Sequence, residues 1–213
     1  MAKKSSQFHL LDHPLIHHLL TEARDERTQP PRFREVMALI GEFLAVEATR
    51  DLPTRRIRIR TPLERYEGRT LQLPITIVPI LRAGLGLAAG FHRIMPEAHM
   101  GHLGMFRDEK KLSPVSYFEK LPRDAAKGPV FILDPMLATG GSAISAVKVL
   151  HGHGCRDVRL LCLVASPQGA ARFAKAHPSV PVFAAAMDRQ LDERGYILPG
   201  LGDAGDRLFG TSD

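Results

Sequence analysis

The hydrophobic positions of this chain follow two different periods. In the N-terminal quarter they recur every three to four residues, which is typical of helices that pack by one face. A first helix is predicted to begin at Asp12-His13-Pro14, where a capping residue precedes a first-turn proline. A second continues to Thr49, after the Pro30-Pro31 pair, at which we expect the chain to break. Both predicted helices are interpreted as packing elements.

From residue 75 onward, short apolar runs alternate with segments of helical character. The runs predict strands at 75–80, 130–134, 157–166 and 182–187. The intervening segments predict helices at 84–94, 143–151 and 169–176. This alternation favours an α/β fold, with a parallel β-sheet flanked by helices on both faces. Ligands of such sheets bind beyond the carboxyl ends of the strands.

Two segments break the alternation. Residues 55–73 place Arg and Ile at alternate positions in Arg56-Ile57-Arg58-Ile59-Arg60, which predicts an exposed β-arm. A dimer contact and a plain edge hairpin are equally good interpretations of this arm. Residues 106–118 form a long polar insertion, and the two interpretations of it are a lid over a binding site and a solvated loop.

Composition narrows the class of protein. The 213 residues are 44% hydrophobic and 24% charged, which is typical of a globular chain with one domain. No apolar run reaches the ~18 residues of a membrane span, and the basic N-terminus leads into no secretory stretch. Cys155 and Cys162 are not a Cys-x-x-Cys pair. We expect both to be buried, reduced thiols and the protein to be cytoplasmic.

Charge and histidine content narrow the class of ligand. The net charge of +6 is dispersed, without RNP-like or zinc-finger signatures, so a phosphate-rich small molecule explains it better than nucleic acid or a membrane does. Among ten histidines, His17-His18 are adjacent, and His151 and His153 are two residues apart. Neither spacing places two rings on one helix face. We therefore expect no metal site built by the protein alone.

The most informative segment spans residues 130–142. A predicted buried strand ends at Asp134, and Ala138-Thr139-Gly140-Gly141-Ser142 leads into the next predicted helix. Free amides and the positive end of the helix dipole make such a start an anion cradle. The spacing is not that of a Walker loop. An acidic side chain just upstream suits sugar hydroxyls, so the segment predicts a ribose 5-phosphate pocket rather than an ordinary βα turn.

Three segments together resemble the uracil branch of the type I phosphoribosyltransferases. The segment just described is similar to the family's phosphoribosyl-diphosphate signature. Residues 78–86, with Arg82, resemble its diphosphate-binding loop, and residues 195–206 resemble its uracil-binding segment. The resemblance extends from about His13 to Thr211. It implies one phosphoribosyltransferase domain over 1–213, with N-terminal helices 12–50, a β-arm 55–73, a core 75–190 and a C-terminal uracil-binding hood 191–213.

The resemblance also implies a reaction and a set of site residues. Ring nitrogen N1 of uracil would attack C1 of the ribose of 5-phospho-α-D-ribose 1-diphosphate (PRPP), giving UMP and diphosphate. Asp134 and Asp203 are the candidate catalytic residues. The resemblance also favours a lid at residues 106–118, because Arg107 in this segment would contact the diphosphate. The candidate PRPP-binding residues are Arg82, Arg107, Asp134, Pro135, Met136, Leu137, Ala138, Thr139, Gly140, Gly141, Ser142 and Asp203. The candidate uracil-binding residues are Ile197, Gly202, Asp203 and Ala204.

Several consequences follow for cofactors and partners. Mg²⁺ is expected to arrive bound to the diphosphate, since it favours phosphate oxygens and water over an all-protein cage. Most type I enzymes carry two acidic residues at the strand end, whereas here Pro135 follows Asp134, as in the uracil branch. Asp203 would then contact the ribose or its metal, or take part in accepting the uracil proton. A homo-oligomer is typical of the family, and GTP, which activates some relatives, is a candidate activator without a readable motif.

Three alternatives remain open at this stage. Purine or orotate could be the base, although residues 195–206 argue against both. A nucleotide-sensing regulator could reuse the fold to bind RNA, which would give strongly salt-dependent binding. A phosphosugar-binding module would bind PRPP without releasing diphosphate.

Overall fold

The computed structural model describes residues 8–72, 74–107 and 114–211, and its framework is a central β-sheet with helices on both faces. The helices are α1 (Pro14–Arg24), α2 (Pro30–Ala48), α3 (Leu85–Ile94), α4 (Gly141–Gly152), α5 (Pro167–Ala176) and α6 (Ala204–Phe209). The strands are β1 (Phe8–Leu10), β2 (Thr54–Arg60), β3 (Arg65–Leu71), β4 (Thr76–Leu81), β5 (His99–Met100), β6 (His102–Arg107), β7 (Pro114–Lys120), β8 (Val130–Leu133), β9 (Met136–Leu137), β10 (Val158–Ala165), β11 (Val182–Met187), β12 (Gln190–Leu191) and β13 (Ile197–Leu198).

The strand order of the central sheet is β1-β11-β10-β8-β4-β6-β7, with β5 beside β4 and β9 beside β10. All of these pairs are parallel except β6–β7 at one edge. The predicted class, a parallel sheet flanked by helices, is confirmed. Strands β4 and β8 are neighbours, with Pro79 opposite Leu133, so the loops that follow them leave the sheet at the same edge.

Alternating side chains of the sheet enter two different cores. Phe131 and Leu133 of β8 face α2, α3 and α6, where Phe33 and Phe91 are fully buried. Their neighbours Val130 and Ile132 face the opposite core, which α4 and α5 cover. Strand β8 is therefore buried on both faces, which explains why it is apolar at every position.

The N-terminal helices were predicted correctly except at one boundary. The ring nitrogen Nδ1 of His13 accepts a hydrogen bond from the Leu15 amide (3.1 Å), and Pro14 opens α1. The predicted break at Pro30-Pro31 is wrong, because α2 begins at Pro30 and holds both prolines in its first turn. First-turn amides have no helical acceptor, so the missing N–H of proline costs nothing there. Strand β1, which pairs with β11, was not predicted.

The β-arm is confirmed as an antiparallel hairpin of β2 and β3, which pair with each other in a two-stranded sheet. The pairing places Arg56, Arg58 and Arg60 on one face, and Ile57 and Ile59 on the other. Both strands are largely exposed to solvent. The dimer contact of this arm stays a prediction.

The predicted polar insertion, 106–118, contains strand residues at both ends. Residues 106–107 close β6, and β7 begins at Pro114 and runs antiparallel to β6. The central part of the proposed lid, 108–113, lies outside the described residues. The other predicted core elements differ from the observed ones by no more than two residues at their ends. Helix α4, for example, begins at Gly141 rather than at Ala143. No helix in the described part of the chain is long and apolar enough to cross a membrane.

Candidate active site

A cavity of about 490 Å³ opens at the carboxyl edge of the sheet. Arg82 follows β4 and Asp134 follows β8, and the structure brings both to this cavity, as expected from strand polarity. The C-terminal segment forms the facing wall. The cavity is lined by Ile80, Leu81, Arg82, Ala83, Met105, Asp134, Met136, Ala138, Thr139, Ser142, Arg194, Gly195, Tyr196, Ile197, Asp203 and Gly205.

The loop between Asp134 and α4 encloses a smaller cavity of about 70 Å³, which is lined by Asp134 and residues 136–143. Gly140 precedes the first turn of α4 with φ +76°, a left-handed conformation that residues with a Cβ rarely adopt. This turn presents the amides at the start of α4 to the cavity. Amides and dipole together favour a phosphate group at this point.

Helix α5 supports this loop from behind. The Ser166 hydroxyl donates to the Ala138 carbonyl (2.6 Å), and Arg172 donates to the Thr139 carbonyl (3.2 Å). Gly169 lies so close to the loop that a Cβ there would be 2.2 Å from the Ala138 oxygen. The loop is therefore fixed before any ligand binds. Sequence reasoning missed all three residues, because Ser166 and its following proline indicate only a helix start.

Asp134 has an unusual electrostatic environment. Burial raises the pKa of Asp134 to about 7, and a hydrogen bond from the Met136 backbone opposes this shift. Burial also raises the pKa of the Cys162 thiol, and the negative charge of Asp134 adds to this increase. Cys162 therefore stays a neutral thiol behind the site. A carboxyl group that titrates near neutral pH at a cavity wall is a candidate functional group.

Arg82 borders the cavity after a cis peptide bond with Leu81. Its guanidinium donates to Asp206 (Nη2 to Oδ1, 2.9 Å) and to the Thr211 hydroxyl (3.2 Å). About half of the Arg82 side chain, 53%, is exposed. Arg82, which is predicted to bind diphosphate, is therefore held by residues in and just after α6. About half of its side chain remains accessible to a substrate.

The C-terminal segment is tied to the N-terminal helix by a buried ion pair. Arg24 donates to both oxygens of Asp188 (2.6 and 2.9 Å), whose side chain is 4% exposed. The Gly200 peptide joins the pair, since its N–H donates to Asp188 (2.9 Å) and its carbonyl accepts from Arg24 (2.9 Å). Arg207 adds a bond to the Leu201 carbonyl (2.8 Å). These contacts fix the segment predicted to bind uracil.

The candidate uracil-binding residues are brought together only in part. Ile197 and Asp203 line the cavity, and one Asp203 oxygen accepts from the Asp206 amide (3.0 Å) as the cap of α6. Gly202 and Ala204 flank Asp203 without lining the cavity, and the Ala204 side chain is fully buried. Contact of either residue with a base would therefore involve its backbone.

The remaining candidates differ in their positions. Pro135 lines neither cavity, and its carbonyl accepts from the Leu163 and Val164 amides, which anchors the loop to β10. Leu137 and Gly141 line the small cavity. The backbone of Arg107 ends β6, and its side chain lies outside the described part of the structure.

Two polar side chains at the cavity were not among the candidate site residues. Arg194 and Tyr196 line the cavity, and the Asp192 carboxylate accepts from both of their amides (2.9 and 2.8 Å). Both residues are exposed. Tyr196 lies within the resembled segment 195–206, whereas Arg194 immediately precedes it.

Comparison with known proteins adds independent information. A family model described as uracil phosphoribosyltransferase matches residues 10–211. A uracil phosphoribosyltransferase of Dictyoglomus turgidum is 47% identical over 203 residues, which cover 95% of this chain and 98% of the relative. Another, of Lactiplantibacillus plantarum, is 50% identical over 206 residues, covering 96% and 99%.

Solved structures agree with the fold. An Aquifex aeolicus protein superimposes with a TM-score of 0.92 at 36% identity, over 96% of this chain and 99% of that one. An adenine phosphoribosyltransferase of Leishmania donovani gives a TM-score of 0.58 at 15% identity, over 88% and 86% of the two chains. The second likeness concerns the fold alone.

Proposed function

The chain belongs to the uracil phosphoribosyltransferase family, and from this premise we propose how its residues carry out the family's reaction. The protein is an enzyme that transfers the 5-phosphoribosyl group of PRPP to uracil, giving UMP and diphosphate. The observation that supports our assignment of residues is that three separate segments meet at one cavity. No comparison favours the alternative of an RNA-binding regulator.

The 5-phosphate of PRPP binds in the small cavity at the start of α4. The amides of residues 138–142 and the hydroxyls of Thr139 and Ser142 donate to its oxygens. Asp134, at the mouth of the same loop, accepts hydrogen bonds from the ribose hydroxyls. A loop that α5 already fixes loses little conformational entropy on binding, which favours a precisely placed ribose.

The diphosphate leaves toward Arg82. Negative charge grows on the leaving oxygens as the C1–O bond breaks, and a guanidinium offers paired N–H donors that match phosphate oxygens. Arg107, at the end of β6, is the second proposed cation. Stabilisation of a charge that develops only in the transition state raises the rate and not merely the affinity.

Uracil lies against the C-terminal wall of the cavity, near Ile197 and Asp203. We propose that backbone groups of Ile197, Gly202 and Ala204 read its O2, N3–H and O4, with Asp203 turned toward PRPP. Cytosine presents the reverse pattern at N3 and N4, so the same backbone groups would face like against like. Buried polar groups left unpaired can give discrimination of about 10⁴-fold.

The carboxylates at the cavity fit a Mg²⁺ ion that arrives already bound to the diphosphate of PRPP. Asp134 and Asp203 both line the cavity, whereas no cluster of three or more potential metal ligands occurs among the described residues. Two carboxylates suit an ion that already carries phosphate and water ligands. When bound, Mg²⁺ would neutralise part of the diphosphate charge, with Asp134 and Asp203 as its neighbours.

A transfer assay tests the function directly. The protein is incubated with radiolabelled uracil, PRPP and Mg²⁺, and we expect labelled UMP together with released diphosphate. Reactions without PRPP, or with adenine or orotate in place of uracil, are the controls. Binding of PRPP without UMP formation would identify a phosphosugar-binding module instead, and use of another base would refute the uracil assignment.

Three further properties of the family are proposed for this chain. A homo-oligomer, with the exposed β-arm as a contact, is testable by analytical ultracentrifugation of the wild type and an arm-deleted variant. GTP activation is testable by initial rates with and without GTP. A cytoplasmic location is supported by two buried free cysteines in the described chain and is testable by cell fractionation.

A further inference from the structure

We propose that Asp206, together with Thr211, is a positioning residue that orients the guanidinium of Arg82 for the leaving diphosphate. The inference rests on the proposed function, in which Arg82 binds diphosphate. It assigns a role to the C-terminal helix beyond base recognition, because the residue that meets the leaving group is held by the helix that follows the uracil-binding segment.

The contacts of Arg82 come from α6 and from the residue just after its C-cap. Asp206 in α6 accepts from Nη2 (2.9 Å), and Thr211, just beyond the helix, accepts from Nη1 (3.2 Å). The ring centroid of Phe209 lies 5.8 Å from the Arg82 Cζ, within the range of a cation–π contact. A side chain with four rotatable bonds is thereby restricted in its orientation, although it projects from a different element.

The arrangement leaves donors free for a ligand. A guanidinium has five N–H donors in a rigid fork, and the described structure uses one on each terminal nitrogen. The guanidinium lies close to α6 at the cavity, since Gly205 lines the cavity and a Cβ on Gly205 would be 3.6 Å from the Arg82 Nη2. Arg82 can therefore keep Asp206 and bind phosphate oxygens at the same time.

Asp206 is suited to this role by its own partners. The Thr211 hydroxyl donates to Asp206 Oδ1 (2.7 Å), the same oxygen that accepts from Arg82. The Thr211 hydroxyl and the Arg82 guanidinium hold the pKa of Asp206 below its usual range, so the carboxylate stays charged at neutral pH. The ion pair is partly exposed, at 53% and 33% for its two side chains, so it adds little to stability. Its removal should leave the fold intact.

A double-mutant cycle tests the proposal. Initial rates are measured for the wild type, Arg82→Ala, Asp206→Ala and the double variant, with PRPP and uracil varied in turn. We expect Asp206→Ala to lower kcat/KM for PRPP roughly ten- to a hundredfold, as a lost charge-assisted hydrogen bond does. The KM for uracil should change by less than about twofold. In the Arg82→Ala background, Asp206→Ala should have no further effect, because its action passes through Arg82.

Matched variants complete the design. Asp206→Asn retains an oxygen acceptor without the charge, and Thr211→Val removes the hydroxyl, so both should fall between the wild type and Asp206→Ala. Glu97→Gln removes an exposed carboxylate remote from the cavity and should match the wild type.

Two results would overturn the proposal. Additive losses in the cycle would show that Asp206 acts independently of Arg82. A lower KM for PRPP in Asp206→Ala would show that Asp206 competes with the diphosphate for Arg82. Absence of UMP formation by the wild type would instead refute the proposed function, so the two failures are distinguishable.

Discussion

Removal of the Asp188 carboxylate should destabilise the fold strongly. Asp188→Ala would leave the Arg24 guanidinium without its carboxylate, and the Gly200 amide without its acceptor. Deleting one partner of a buried ion pair costs about 3–5 kcal/mol, because the other charge stays buried and unpaired. Arg24 is 25% exposed and keeps its bond to the Gly200 carbonyl, so the lower end, about 3 kcal/mol, is expected.

Thermal and urea unfolding measure this loss. For a chain of this size, each kcal/mol lowers Tm by about 2–4 °C, so Asp188→Ala should melt roughly 10 °C below the wild type. The control is Glu67→Ala, which breaks the Arg56–Glu67 pair of the β-arm, where the side chains are 73% and 52% exposed. An exposed pair contributes about 0–1 kcal/mol, so this variant should melt close to the wild type.

The two variants separate a buried structural bridge from a surface contact. Equal Tm values for Asp188→Ala and Glu67→Ala would contradict the assignment of the Arg24–Asp188 pair as a brace for the C-terminal segment. A double replacement, Arg24→Met with Asp188→Leu, should be more stable than Asp188→Ala alone, because it leaves no unpaired charge.

Four shorter predictions concern activity. Because the pKa of Asp134 is raised to about 7, its carboxylate form is lost as pH falls through 7, and kcat/KM for PRPP should decline in that range. A folded Asp134→Asn variant should be slow and should not show this decline at low pH. Normal turnover in that variant would exclude the ribose contact. Gly140→Val should weaken PRPP binding in titration calorimetry, since φ +76° strains a β-branched residue by about 1–2 kcal/mol; unchanged affinity would refute the cradle. Arg82→Ala and Arg107→Ala should each cost on the order of 3 kcal/mol in kcat/KM, and wild-type values would remove them from the diphosphate site. Cytosine should compete poorly with uracil, and Gly202→Val, at φ +70°, should abolish uracil use; comparable use of cytosine would show that this segment does not read the base.

The parallel core could be predicted because its signals are local. Strand β8 is a continuous apolar run, and β10 is apolar at every position except Arg159, so both are recognisable from the sequence, as are the helices that follow them. Short elements have no such signal. Strands β5 and β9 contain two residues each, and β1 contains three, so nothing in their sequence distinguishes them from loop. Helix α6, with six residues, follows a glycine-rich stretch that indicates only a turn.

The same distinction applies to the site. The Asp134 loop and Arg82 were predictable, because strand ends and a glycine-rich helix start are contiguous in sequence. The contacts that hold them were not. Asp206 is 124 residues from Arg82, and Arg172 is 33 residues from Thr139, so no spacing in the sequence relates them. Only the folded chain reveals which charged residues of a polar segment contact the cavity and which contact solvent.

The brace between α1 and the C-terminal segment has a consequence for how the enzyme is made. Arg24 and the Gly200 carbonyl are separated by 176 residues, and Arg207 donates to the Ala23 carbonyl across 184. Synthesis proceeds from the N-terminus, so α1 emerges from the ribosome long before Gly200 and Arg207 do. Until those residues emerge, the cavity lacks one wall and Arg82 lacks its partners. We therefore expect a chain that stops before Gly200 to lack transferase activity, because it has neither the brace nor the partners of Arg82.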